Sequence, residues 1–313
     1  MKNFTDDDIQ FLGGENLKNA SLTTPPSDNG KKHSRWQRVS FAVIIVLLFV
    51  ICGLIGWNYY EQHRWAVSFE YPLSRSGEQI IQDLNRSLSP AGKAVHEAGN
   101  QKPQPSQAFT VDSIDGVSMR FYNLAGLQAS VSRSMPADSD STVVLVTQAW
   151  DYYYDNARHY HYLGDFTLNG KSLARGTGKA GFVAITKSGW QMGIGQDDSV
   201  RDYVANHGGS MFRQFALVSA GQICLKQFAL KGKVHRRALA RKPGAATAYY
   251  VETIHKESLY DFSEALADYG FIDAIYLTGA DGTEPCYRDA DGKLRGDMKS
   301  WKRKSNLLVF RRK

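Results

Sequence analysis

YDFSEALADYGFIDAIYLTGADG, residues 260–282, changes its hydrophobic period once, and that change decides the fold class. Leu259, Phe262, Leu266 and Tyr269 recur at helical spacing, and Gly270 stands where helices commonly end. The apolar run FIDAIYLTG that follows, 271–279, reads as a buried strand, and ATAYYVETI, 246–254, reads as a strand leading into the helix. Upstream the period is that of strands. FTVDSI, VSMRFYNLAG, LQASVSR and STVVLVTQAW alternate or run apolar between turn residues such as Asp115-Gly116. GFVAITKSG and WQMGIG predict a hairpin around Lys187-Ser188-Gly189, and RQFALVSAGQICLKQ a pair of strands turning at Ala220-Gly221. Many strands and few helices predict an α+β domain built on a strand-rich mixed sheet.

Working outward, residues 109–313 form that domain and 58–108 a stalk or prelude. In the prelude SGEQIIQDLNRSL predicts a short helix capped by Ser76, with Ile80, Ile81, Leu84 and Leu88 on one face. Before it lies VSFAVIIVLLFVICGLIGW, 39–57, without one charged side chain. A helix of that length covers roughly the 30 Å hydrocarbon core of a bilayer, so a single transmembrane helix is expected. Lys31, Lys32, Arg35 and Arg38 precede it, while Arg64 beyond it is balanced by Glu61. This asymmetry places the N-terminus in the cytoplasm and the domain outside it, as in a protein of a bacterial inner membrane. The 38-residue leader and the absence of Ala-x-Ala argue against a cleaved signal peptide. Residues 1–38 are polar and proline-bearing and read as a disordered cytoplasmic tail.

Hydrophobic residues at 42% and charged ones at 22% describe a chain able to bury a core. The net charge is +7, with a basic close, KSWKRKSNLLVFRRK, that reads as an exposed tail suited to anionic polymer or lipid. Outside the cytoplasm the expected partners are phosphate-containing or acidic glycans and the membrane, and nucleic acid is not expected. Cys52 lies in the apolar segment, which leaves Cys224 and Cys286 as a pair that is either bridged or free.

FALVSAGQIC, then Arg236-Arg237-Ala238-Leu239-Ala240, then the helix and closing strand of 260–282 follow one another in an order that resembles the phosphodiester glycosidase family. In that family a strand ending near glycine leads to an arginine motif of the type Arg-Thr-Ala-Ile-Gly, a strand, a helix and a closing Leu-Asp-Gly-Gly-Gly-Ser. LGDFTLNGKSL with the hairpin after it is similar to the family's Asn-Gly-Gly-Phe-Phe turn, so the resemblance covers roughly 143–282. The chain departs from the family at Leu277-Thr278-Gly279-Ala280-Asp281-Gly282, where Thr278 holds the aspartate position, and at Leu163-Gly164-Asp165-Phe166-Thr167.

The resemblance implies a hydrolase that cleaves sugar phosphodiesters in envelope glycans or exopolysaccharide, without a cofactor or metal. Such chemistry needs a carboxylate at the anomeric carbon and cations on the phosphate, and a phosphate leaving group lessens the need for a strong acid. Asp165, Asp281 and Thr278 are the catalytic candidates. Arg236, at the family arginine, and Arg213 are candidates to hold phosphate, and Tyr152 and Tyr154 to stack on sugar. Plainer readings stand beside each: aspartates in Gly-Asp and Asp-Gly are turn formers, Arg236 and Arg237 suit an exposed basic strand, and tyrosines suit strand packing. The alternative function is a non-catalytic domain of the same fold that binds polysaccharide or takes part in envelope assembly. Gly176-Thr177-Gly178-Lys179-Ala180-Gly181 has dinucleotide-loop spacing but precedes a strand, which argues against that role. Asp155 with His159 and His161 lacks a convincing further ligand for a metal, and Asp289-Ala290-Asp291-Gly292 reads as a hairpin turn.

Overall fold

VVLVTQ and GFVAI, apolar at nearly every position, fit strands covered on both faces, and each lies inside a sheet in the computed structural model. The structure describes residues 35–63, 71–86, 109–176, 178–225, 232–244, 248–279, 282–289 and 291–312. The chain divides into two units, 1–60 and 61–313.

In the first unit begins α1 (Arg35–His63), whose side chains are described over 43–57 and are exposed there on every side. Among the described residues no helix is long and apolar enough to cross a membrane.

The second unit starts with α2 (Gly77–Arg86), β1 (Thr110–Ile114), β2 (Val117–Asn123), β3 (Gln128–Ser132), β4 (Val143–Gln148), β5 (Tyr152–Tyr154) and β6 (Tyr160–Tyr162). There follow β7 (Phe166–Leu168), β8 (Lys171–Ala174), β9 (Gly181–Ile185), β10 (Trp190–Ile194), α3 (Ser199–Asn206), β11 (Ser210–Gln214), β12 (Ala216–Ser219) and β13 (Gln222–Ile223). The chain closes through β14 (Arg237–Arg241), β15 (Ala248–Thr253), α4 (Leu259–Asp268), β16 (Asp273–Leu277), β17 (Cys286–Arg288), β18 (Leu294–Arg295), α5 (Met298–Trp301) and β19 (Leu307–Arg311).

A seven-stranded sheet runs β1-β2-β15-β14-β16-β12-β13, two five-stranded sheets run β10-β9-β11-β7-β8 and β18-β17-β4-β19-β3, and β5-β6 form a separate hairpin. The fold is therefore sheet-rich with few helices, as the periodicity predicts. Alternation along the seven-stranded sheet sorts its two faces. Ala238, Ala240, Val251 and Ala274 pack with Phe262, Ala265 and Leu266 of α4. Leu239, Tyr250, Ile275 and Leu277 point the other way, into a core with Trp150, Val183, Phe212 and Phe310 from the other sheets. Ser258 caps α4 by accepting from Asp261 N at 3.0 Å. Ser76 and Gln79 cap α2 reciprocally, and Ile80 and Leu84 of α2 pack with Phe182, Val200 and Met211.

One expectation is corrected and one open alternative is decided. The basic close is no exposed tail: Leu307–Arg311 is a strand between β3 and β4, and Leu307 to Phe310 are buried. Four consecutive apolar residues outweigh the charges around them in deciding where that segment lies. Cys224 and Cys286 are free thiols in different parts of the sheet system, and burial pushes both up to about 12.

Candidate active site

Leaving β4, the chain passes Ala149 and Trp150, rises through the β5–β6 hairpin and returns at Asp165, just before β7. Leu163 N donates to Asp151 O at 2.9 Å and closes the hairpin's base, so Asp151 and Asp165 flank it. Asp165 is buried, and its Oδ1 accepts from Gly176 N at 2.8 Å and its Oδ2 from Arg213 Nε at 3.0 Å. Arg213 donates its remaining bonds to Gly195 O at 2.6 Å and Asp197 O at 3.2 Å. Arg201 Nη1 lies 3.7 Å from Asp165 Oδ2 and 2.7 Å from Asp198 Oδ1. Around this pair opens a cleft of about 260 Å³ lined by four cationic side chains, Arg175, Lys179, Arg201 and Arg213, against two carboxylates, Asp165 and Asp198. Asp151 on Lys179 at 2.7 Å and Asp202 on Arg201 at 2.9 Å bring two further carboxylates against these cations, which leaves Arg175 as the lining cation best placed to meet an anion.

Thr278, at the end of β16, meets a carboxylate that sequence reasoning passes over. Its Oγ1 donates to Asp151 Oδ1 at 2.5 Å, and Gln214 Nε2 donates to Thr278 Oγ1 at 3.1 Å and to Ala149 O at 3.0 Å. Lys179 Nζ donates to Asp151 Oδ2 at 2.7 Å and to Leu163 O at 2.9 Å. Burial, the largest single influence, pushes the Asp151 carboxyl up, yet the charge of Lys179 and the bonds from Lys179, Thr278 and Gln214 together hold it below its ordinary value. Asp151 is therefore ionised at neutral pH, and Lys179 joins it to the cleft.

Of the residues named from the sequence, the structure brings Asp165 and Arg213 together and sets Thr278 near them through Asp151 and Lys179. Arg236 does not line the cleft: its Nε donates to Glu257 O at 2.9 Å and its Nη2 to Gly232 O at 2.6 Å. The reason is parity along the strand. Position 236 shares a face with Ala238 and Ala240, under α4, whereas Arg237 shares one with Leu239 and enters the interior. Arg237, 2% exposed, pairs with Glu252 at 3.6 Å, donates to Thr283 O, and lies against Gly279, the residue after Thr278. Arg237 Nε and Nη1 have no hydrogen-bond partner among the described residues. Burial raises the Glu252 carboxyl, with Arg237 opposing. Burial raises the Tyr276 phenol, the Arg236 charge opposes and the Asp151 charge adds to it, so Tyr276 lies between the two sides.

The tyrosines of the hairpin largely serve one another. Tyr152 stacks on Tyr160 at 4.7 Å, Tyr154 meets Tyr160 edge-on at 5.5 Å, and Tyr160 is tied to Trp150 Nε1 at 2.9 Å and Ser305 O at 3.0 Å. Tyr154 remains exposed. Asp155 Oδ2 contacts His159 Nδ1 at 3.1 Å and His161 Nε2 at 2.9 Å. Asp281 lies outside the described residues. Asp151, Lys179, Gln214 and Arg201 are the members the sequence reading misses. The signal available for the first is a single aspartate inside the aromatic run Trp150–Tyr154.

No protein-family model and no curated protein matches the sequence. Among solved structures, the chain is similar to the catalytic domain of zebrafish N-acetylglucosamine-1-phosphodiester alpha-N-acetylglucosaminidase, auto-inhibited by its pro-peptide. Identity there is 15%, over 66% of this chain and 82% of that one, with a TM-score of 0.43. It is also similar to a hypothetical protein from Synechocystis at 10% identity, over 65% of this chain and 61% of that one, with a TM-score of 0.45. The likeness is distant and concerns structure only.

Proposed function

We propose that the domain is a divergent phosphodiester glycosidase that hydrolyses sugar 1-phosphodiesters in acidic envelope glycans. The observation that carries this reading is an ionised Asp151, oriented by Thr278 and Lys179 beside an arginine-lined cleft. Hydrolysis at an anomeric carbon passes through an oxocarbenium-like state, which a fixed carboxylate stabilises directly or captures as a nucleophile. A carboxyl held low is a poor proton donor, which suits a leaving group that departs as a phosphate anion. Arg175 and Lys179 supply charge to that phosphate, while Arg213 keeps Asp165 and the cleft wall in place. Thr278 takes no proton; its hydroxyl orients Asp151, which supplies the carboxylate missing from the family position.

The same proposal takes the uncharged stretch 39–57 as a membrane anchor, with the domain outside the cytoplasm; its described side chains, 43–57, are by themselves too short a run to span. Its support is a helix whose described side chains are apolar and exposed on all sides, together with the excess of lysine and arginine before it. A second reading, glycan binding without catalysis, is favoured by the way Asp165 and Arg213 saturate each other. Full-length protein in detergent, assayed for free sugar released from a panel of sugar 1-phosphodiesters, separates the two. Asp151→Asn is expected to slow release by about a hundredfold or more, and Thr278→Ala by less. Undiminished activity in Asp151→Asn sinks the assignment. No activity in the wild type, with acidic glycan still retained, selects the binding reading.

A further inference from the structure

Phe215 stands between β11 and β12, and its neighbours Gln214 and Ala216 are buried while its own side chain is 42% exposed. A phenylalanine left in water at such a position is apolar surface that folding has not covered, and its surroundings are those of the site. Lys179 Nζ lies 5.2 Å from the ring centroid, within cation–π range, and the same nitrogen bonds Asp151 at 2.7 Å. The preceding residue, Gln214, bonds Thr278 at 3.1 Å, and the Phe215 carbonyl accepts from Tyr276 N at 2.9 Å. The backbone thus fixes the ring beside the Asp151–Thr278 pair, and Lys179 belongs both to this corner and to the cleft with Arg175 and Arg201.

A carboxylate, an exposed aromatic face and a cleft that presents Arg175 match a ligand that is apolar on one ring face and anionic at one end. Pyranose rings present such a face of C–H groups, and aromatic rings pack on it while leaving hydroxyls wet. We propose that Phe215 is the platform for the sugar ring of the substrate, with the anomeric carbon toward Asp151 and the phosphate toward Lys179 and Arg175. This deepens the hydrolase reading and rests on it. It names the substrate as a hexopyranosyl phosphodiester with one ring face free of bulky axial groups. Tyr152 is less suited, because its face is already covered by Tyr160, and Tyr154, though exposed, has no contact with Lys179 or Asp151 among the described residues.

The test uses full-length protein in detergent with Phe215→Ala and Phe215→Trp, each checked for an unchanged melting temperature. With glucose 1-(methyl phosphate), a hexopyranosyl phosphodiester, Phe215→Ala should lose about tenfold in kcat/KM, mainly through KM, whereas Phe215→Trp stays within about threefold of wild type. In the Phe215→Trp protein, a hexose 1-phosphate should shift indole emission beyond the wild-type response, and inorganic phosphate alone should not. Unchanged kcat/KM in Phe215→Ala overturns the platform and leaves the hydrolase reading standing. An equal emission response to inorganic phosphate overturns the orientation. If the wild type is inactive but the emission still answers to hexose 1-phosphate alone, the hydrolase reading fails and the platform survives. Inactivity with no emission response removes both.

Discussion

Replacing Arg213 by methionine tests whether Asp165 is a scaffold carboxylate rather than the reacting one. Arg213 is 3% exposed and Asp165 6%, so solvent screens their interaction little. The substitution keeps most of the aliphatic stem and deletes the bond to Asp165 at 3.0 Å together with those to Gly195 O and Asp197 O at 2.6 and 3.2 Å. Asp165 then retains Gly176 N at 2.8 Å and, at 3.7 Å, the Arg201 guanidinium. Removing one partner of a buried ion pair costs about 3–5 kcal/mol, and the remaining cation places this case near the lower end, about 3 kcal/mol. For a domain of this size that corresponds to a fall of roughly 6–12 °C in Tm. Urea unfolding followed by tryptophan fluorescence, with thermal melts alongside, measures it. Adding Asp165→Asn removes the uncompensated charge, so the double variant should be more stable than Arg213→Met alone. A cost below about 1 kcal/mol, or strict additivity in the double variant, refutes the buried-pair argument. Abolished hydrolysis in Asp165→Asn with an unchanged melt would make Asp165 the reacting group.

Two further outcomes follow from the same geometry. Because the folded Asp151 carboxyl is held below its ordinary value, its contribution to stability is complete above the unfolded value near about 4 and is lost as pH falls through the lower folded one. Hydrolysis should accordingly stay level from neutrality through the ordinary carboxylate range and decline only below it, and Lys179→Met should move that acid limb upward; a limb that does not move contradicts the Lys179 contact. Gly279→Ala places a Cβ 2.8 Å from Arg237 Cζ and 2.9 Å from Cδ at a residue with φ +146°, so a loss of about 2–4 kcal/mol is expected in urea unfolding. A variant as stable as wild type would show that Arg237 does not sit under that turn.

What could be read from the sequence, and what could not, divides along physical lines. Local period and turn chemistry are enough for the β9–β10 hairpin, the turn at Ala220-Gly221 and α4 with Gly270 after it, because neighbours in the chain decide them. The closing strand 307–311 escapes for the opposite reason: charge dominates its composition, while four apolar residues between β3 and β4 determine its place. Asp151 is hidden from any local reading, since it meets Thr278 across 127 residues of chain only when the ends of β4 and β16 come together. The arginines are an intermediate case in which the sequence held the answer. Ala238 and Ala240 are small enough to lie beneath the α4 helix, and strict alternation then sends Leu239 and Arg237 to the interior and denies it to Arg236. Neither arginine lines the cleft; motif position names Arg236, and the strand's period of two adds that Arg237 is the one that packs against the turn following Thr278.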